Sequence, residues 1–377
     1  MMSSKTSPAG ETSFFENRPG VQNVKKSKVM PEVLPSSPSE LPIPEMGFAL
    51  YWYRFKLLFN EHSKPPKLGK KEVALRKQQA DSILEAERIA AREARKLRSI
   101  QDLRNASDRA PRGSVAFVGV KGAAATTTTL IHCASTTAEI TRAVLYASDF
   151  NSASGTAGRQ LGKDFSDTLT VRKFRELLPT ITGQSDLNPL IRPTRYGVRV
   201  LSANDYTADL SKELGTHTSQ MLDLLSAFGD YNFIDTTNSI STPEMRVTLG
   251  RADMLVFTAN VAVKNSLFLL GVGMQAARQL GLERKVANSV VVISNSEPGA
   301  NPEDYRKYTD KVNISDEAVE LYGFDGPIIL VPHDPSIKED SEVNLEALMP
   351  ETYQAYLDVD NKIFELLRNT TPYVKKG

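Results

Sequence analysis

Several classes of protein are excluded by what this chain has little of. Cys133 is its only cysteine, so no intrachain disulfide forms and a reducing, cytoplasmic setting is expected. Histidine is scarce as well: His62, His132, His217 and His333 fall at spacings that make no metal motif. No run reaches the ~20 apolar residues needed to span a bilayer, and the first 45 residues lack the apolar core of a signal peptide. Charge of one sign is missing too. The 46 Lys and Arg against 45 Asp and Glu leave +1 overall, and so near-neutral a total does not argue for nucleic acid or an anionic membrane.

A more telling shortage is of glycine and lysine in one loop. The β-type run at 114–120 ends in Lys121-Gly122-Ala123-Ala124-Ala125-Thr126-Thr127-Thr128 and passes straight into a helix-competent stretch. Strand, loop, helix is the order of a phosphate-binding P-loop. Such a loop uses glycines to turn backbone N–H groups onto phosphates and a lysine to meet their charge. Set against Lys-Gly-Gly-x-Gly-Lys-Thr-Thr, the chain keeps Lys121, Gly122, Thr127 and Thr128. It has Ala123 and Ala125 in place of glycines and Thr126 in place of the second lysine.

Taken in order, residues 1–45 are rich in Pro and Ser and read as a disordered tail. Residues 46–59 hold the only tryptophan, Trp52, among aromatic and basic residues. They read either as an interfacial helix on lipid or, the reading adopted, as a segment packed on the domain or a partner. Residues 70–104 form a charged helical pattern with a weak apolar seam at Ile83, Ala86, Ala90, Leu97 and Ile100. Basic residues outnumber acidic ones by about two to one between Tyr51 and Arg112, which leaves open a touch on DNA or lipid. The expected division is thus 1–45, 46–111, a main domain over 112–370 and a short basic tail at 371–377.

In the main domain, apolar runs are expected as strands at 114–120, 143–148, 198–202, 232–234, 254–258, 289–293 and 327–331. Helical stretches separate them at 170–178, 218–228, 242–249, 265–280 and 302–310, with a last one at 351–367. Alternation of this kind predicts an α/β fold: a doubly wound, mostly parallel seven-stranded sheet with helices on both faces. Ligands of such sheets sit off the carboxyl ends of the strands. The polar residues at those ends are Asp149, Asp235, Asn295 and the Pro332-His333-Asp334 turn. Each carboxylate stands where Mg²⁺ or its water can be held, although Asp at a strand end is also a common cap or turn former.

Over about 112–370 these features resemble the MinD/ParA family of deviant Walker A ATPases. The loop is similar to that family's signature, Arg142–Asp149 to its second acidic strand, and Tyr231–Asp235 to its Walker B strand. Arg251-Ala252-Asp253 is also typical, and Asn295 with Pro332 and Asp334 resembles the base-side contacts. The resemblance implies ATP and Mg²⁺ as cofactors, with residues 121–128, Asn295, Pro332 and Asp334 on the nucleotide. Thr127, Asp149 and Asp235 would then lie on the metal. It implies an ATP-dependent homodimer or heterodimer in which Lys121 reaches the partner subunit's phosphates, and a role in positioning, secretion or conjugation. The aromatic-basic leader is similar to MinD-like proteins of actinobacteria, including those associated with ESX secretion or plasmids.

Three readings follow. In the first the loop is degenerate and the protein is a weakly hydrolysing or non-hydrolysing binding or scaffold subunit, paired with an active homologue or with itself. In the second it is a Mg-ATP-dependent ATPase with an unusual loop, using Asp149 and Asp235. In the third it is an α/β protein without nucleotide, its Asp residues being caps and turns. The location expected is cytoplasmic, with peripheral membrane contact through the N-terminal segment as an option.

Overall fold

The computed structural model describes residues 70–120, 122–150, 155–161, 169–203, 214–236, 240, 242–301, 324–338 and 341–369. The chain divides into two compact units, Met1–Gln79 and Ala80–Gly377; of the first, only 70–79 are described, the opening turns of a helix. Lys121, the 1–45 tail, the aromatic segment, the helix expected at 302–310 and the 371–377 tail lie outside the described residues.

Helix α1 (Lys70–Ser107) is built from Ala, Glu, Lys, Arg and Gln without Gly or Pro, a composition of strong helix formers. Then follow β1 (Gly113–Val118), α2 (Thr126–Thr141), β2 (Leu145–Asp149), α3 (Ala157–Gln160) and β3 (Leu169–Thr170). Next come α4 (Val171–Leu177), α5 (Gln184–Leu187), β4 (Arg199–Ser202), α6 (Leu214–Phe228), β5 (Tyr231–Asp235) and α7 (Pro243–Arg251). The rest is β6 (Met254–Asn260), α8 (Ser266–Gln279), α9 (Glu283–Ala287), β7 (Val290–Ser296), β8 (Ile328–Pro332) and α10 (Pro350–Asn369).

The sheet has eight strands in the order β3-β4-β2-β5-β1-β6-β7-β8, and every pairing between these strands is parallel. The seven expected strands are all present. The eighth, β3, is two residues long and falls where the sequence predicts the start of a helix, too short to leave a period of its own. Alternate residues of β1 explain the two covered faces. Val115 and Phe117 point into a core shared with α2 and α10, whereas Ala116 and Val118 point into one shared with α7 and α8. A third cluster, around Phe174 and Tyr146, fills the space beneath α4 and α6.

Within the second unit, α1 lies on α10. Leu103 is buried in the main core, Gln354 donates to Ser99 Oγ at 2.7 Å, and Arg95 meets Asp358 at 2.8 Å. Between α2 and α10 lies an unusual polar contact. Asp360 is fully buried, and burial pushes its carboxyl well above the usual range, while its polar neighbours Cys133 and Thr137 pull it back. Nearby, the His132 ring stacks on Tyr356 with centroids 4.8 Å apart.

Candidate functional site

Strand β1 lies between β5 and β6, so the connections from this region leave to opposite sides of the sheet and open a crevice at its carboxyl end. Loop residues 119–120 and 122–125 lie at that crevice and lead the chain into α2. Two of its residues adopt left-handed backbone: Ala123 at φ 64° and Ala125 at φ 60°. These are the positions at which the P-loop pattern has glycine. An alanine there is strained by roughly 1–2 kcal/mol, so the loop keeps a glycine conformation without glycine. Ala125 is also the N-cap of α2 and offers no side chain to the first-turn N–H groups, the donors that satisfy an anion at a helix start.

Thr126, at the lysine position, is buried. Its hydroxyl lies 2.8 Å from that of Thr258 on β6, so it turns into the sheet. A side chain on Gly119 would collide with that hydroxyl, so Gly119 is required by the close approach. Thr127 faces the opposite way: its Oγ1 donates to Asp235 Oδ2 at 2.5 Å. Thr128 supplies its carbonyl to His132 Nδ1 at 2.7 Å.

Asp149 and Asp235 end adjacent strands and are direct partners in the β2–β5 register. Both are buried. Burial, and then the charge of Asp149, push the Asp235 carboxyl well above the usual range, while the Thr127 and Thr236 donors pull it back. Asp149 Oδ2 accepts the Ala157 N–H at 3.2 Å. Two adjoining carboxylates and a hydroxyl are hard oxygen donors of the kind Mg²⁺ takes. Among the described residues no group of three His, Cys, Asp or Glu is set to hold a metal, but Mg²⁺ is commonly held by one or two carboxylates plus substrate phosphates. The donor set therefore fits the metal, and bound Mg²⁺ would supply the charge that relieves the two carboxylates.

The base-side candidates separate. Asn295, itself left-handed at φ 58°, donates from Nδ2 to Asn260 Oδ1 at 2.9 Å, and its Oδ1 lies 3.0 Å from His333 Nδ1. Asp334 faces away from this chain of contacts. It accepts from Ser336 N at 2.9 Å, Ser336 Oγ at 2.7 Å and Met349 N at 2.8 Å. Burial opposes its charge, yet these donors prevail and hold its carboxyl below the usual range. Pro332 ends β8 beside it.

Sequence reasoning passed over Asn260 and Thr258, both on β6 and both in contact with the loop. An Asn or Thr near a strand end carries no signal of its own. The Arg251-Ala252-Asp253 triplet lies at the opposite end of the central strands, where β1 and β6 begin. Asp253 Oδ2 accepts the Ser114 N–H at 2.8 Å, and Lys285 Nζ donates to the carbonyls of Leu249, Gly250 and Ala252 at 3.0, 2.7 and 2.6 Å. This is a lock on the strand starts, remote from the crevice.

No protein-family model matches the sequence, and no curated protein matches it. Among solved structures, the chain is similar to a ParA family ATPase from Chlorobium tepidum, at 15% identity over 69% of this chain and 96% of that one (TM-score 0.47). It is similar to apo McdA from Cyanthece, at 14% identity over 68% and 98% (TM-score 0.48). It is likewise similar to the cell division ATPase MinD of Pyrococcus furiosus, at 17% identity over 68% and 99% (TM-score 0.46).

Proposed function

We propose that this chain is a MinD/ParA-like P-loop protein with a degenerate loop, acting as a binding or scaffold subunit that hydrolyses ATP weakly or not at all. The observation that carries this reading is Thr126. At the position of the phosphate-binding lysine stands a short neutral side chain whose hydroxyl is paired with Thr258 inside the sheet. Phosphoryl transfer depends on positioned positive charge, and this residue supplies none. The strained alanines add to the deficit, because their methyl groups stand on the loop where glycines would let phosphate approach. In this reading the subunit pairs with a second copy or with an active homologue, and serves a partner protein of a positioning, secretion or conjugation system.

A second reading is favoured by Thr127 and Asp235. Their 2.5 Å contact, beside the in-register Asp149, is the arrangement a Mg²⁺-side hydroxyl and its acidic strand would take. On this basis the protein is a slow, Mg²⁺-dependent ATPase. Phosphate release by the full-length protein, with DNA and lipid vesicles each added, separates the two. The scaffold reading expects no release above an Asp235→Ala control. Release clearly above that control selects the ATPase.

A further inference from the structure

We propose that Asn260 is a positioning residue that clamps the alanine-substituted loop in its left-handed, glycine-like shape. Asn260 is the last residue of β6, and its Nδ2 donates to the Ala123 carbonyl at 3.1 Å. The orientation of its amide is fixed by its other contacts. Oδ1 accepts both the Ala262 N–H, at 3.0 Å, and Asn295 Nδ2, at 2.9 Å, so only the NH₂ group can face the loop. The backbone N–H of Asn260 donates to Ser266 Oγ at 3.0 Å, tying the strand end to the start of α8. Asn260 is therefore held rigidly from one side and grips the loop with the other.

The grip acts on the residue that needs it. Ala123 sits at φ 64°, a conformation that a Cβ disfavours and that glycine adopts freely. In a trans peptide the carbonyl and the following N–H point to opposite sides. Drawing the Ala123 carbonyl toward β6 therefore turns the Ala124 N–H the other way. Left-handed residues on both sides of Ala124 set up the alternation from which backbone anion nests are made. A loop with its glycines needs no such clamp; a loop without them does. The clamp also extends outward, because Asn260, Asn295 and His333 form one hydrogen-bonded chain across the ends of β6, β7 and β8. The consequence for phosphate rests on the proposed nucleotide reading, whereas the clamp itself does not.

Amide hydrogen exchange on the full-length protein without nucleotide tests it. Asn260→Asp keeps the acceptor for Ala262 but presents an oxygen, not a donor, to the Ala123 carbonyl. Loop amides 122–126 are expected to open roughly three- to tenfold more readily, the worth of one hydrogen bond, while Ala262 and the β1 and β5 strands keep their protection. Adding Ala123→Gly to Asn260→Asp is expected to return the loop toward wild-type protection, a rescue that a merely structural role for Asn260 would not give. Unchanged loop exchange in Asn260→Asp overturns the clamp, and so does a loss of protection spread over Ala262 and the strands or a failure of the glycine to rescue. Fluorescent ATP binding by the Thr126→Lys, Ala125→Gly, Ala123→Gly variant, measured separately, bears on the nucleotide reading alone: its absence there removes that reading and leaves the exchange result standing.

Discussion

The hydroxyls of Thr126 and Thr258 lie 2.8 Å apart in the sheet interior, joining the start of α2 to β6 at the position from which a P-loop lysine would reach out. The pair gives the substituted loop a stable internal contact in place of a ligand contact. Removing one hydroxyl strands the other, whereas removing both leaves a matched apolar pair. Thr258→Val is expected to cost about 1–2 kcal/mol in urea unfolding. Thr126→Val with Thr258→Val is expected to be nearer neutral than the sum of the single changes. Additive losses would mean that the contact contributes nothing.

Left-handed alanine is a local cost that glycine relieves. Ala125→Gly, and Ala123→Gly separately, are expected to stabilise by up to about 1 kcal/mol each. For a domain of this size that is a rise in Tm of roughly 2–4 °C. A fall in Tm at both positions would show that the alanines are not strained.

His132 gives an acid-side test. Burial pulls its pKa down to about 4, against the Thr128 carbonyl and Asp334, which favour the charged ring. Its ordinary value is about 6.5, so in this window the unfolded chain takes up the proton and the folded one does not. The stability that His132 contributes is therefore complete above about pH 6.5 and declines as pH falls toward 4, by up to about 1.4 kcal/mol per unit. His132→Phe, which keeps a ring against Tyr356, is expected to flatten that decline in urea unfolding between pH 4.5 and 7.5. An unchanged slope would rule out His132 as its source.

Asp360 works in the opposite sense. Its folded pKa is raised, so the folded state holds a proton that the unfolded chain gives up above about pH 4. Stability from this group is complete below that pH and is lost as pH climbs toward the raised folded value. Asp360→Asn cannot titrate. Its stability relative to wild type is expected to rise with pH by up to about 1.4 kcal/mol per unit. Parallel profiles for the two proteins would contradict the burial of a proton there.

Much of this was legible in the sequence, for identifiable reasons. Continuous β-type runs such as 254–258 suit parallel strands covered on both faces, and the alternation of runs and helical stretches pointed to the doubly wound sheet. The Ala123 and Ala125 substitutions stand out because a P-loop has so few positions that tolerate nothing but glycine. Asp149 and Asp235 announced themselves as carboxylates closing apolar strands. The side-chain partners were another matter. Nothing in one dimension tells that Asn260, 137 residues along the chain from Ala123, meets its carbonyl, or that Thr258 receives the Thr126 hydroxyl. Likewise, nothing in the sequence shows that Asp334 accepts from Ser336 and Met349, or that Asp253 accepts the Ser114 N–H.

On the proposed reading the crevice is intact but lacks the charge to hold phosphate. Equilibrium binding of fluorescent ATP with Mg²⁺ tests it, comparing wild type with a Thr126→Lys, Ala125→Gly, Ala123→Gly variant. Binding by the variant is expected in the micromolar range, with wild type at least about tenfold weaker, the equivalent of about 1.4 kcal/mol. Wild-type binding as tight as the variant's would contradict it, because Thr126 and the two alanines would then not be what weakens the site.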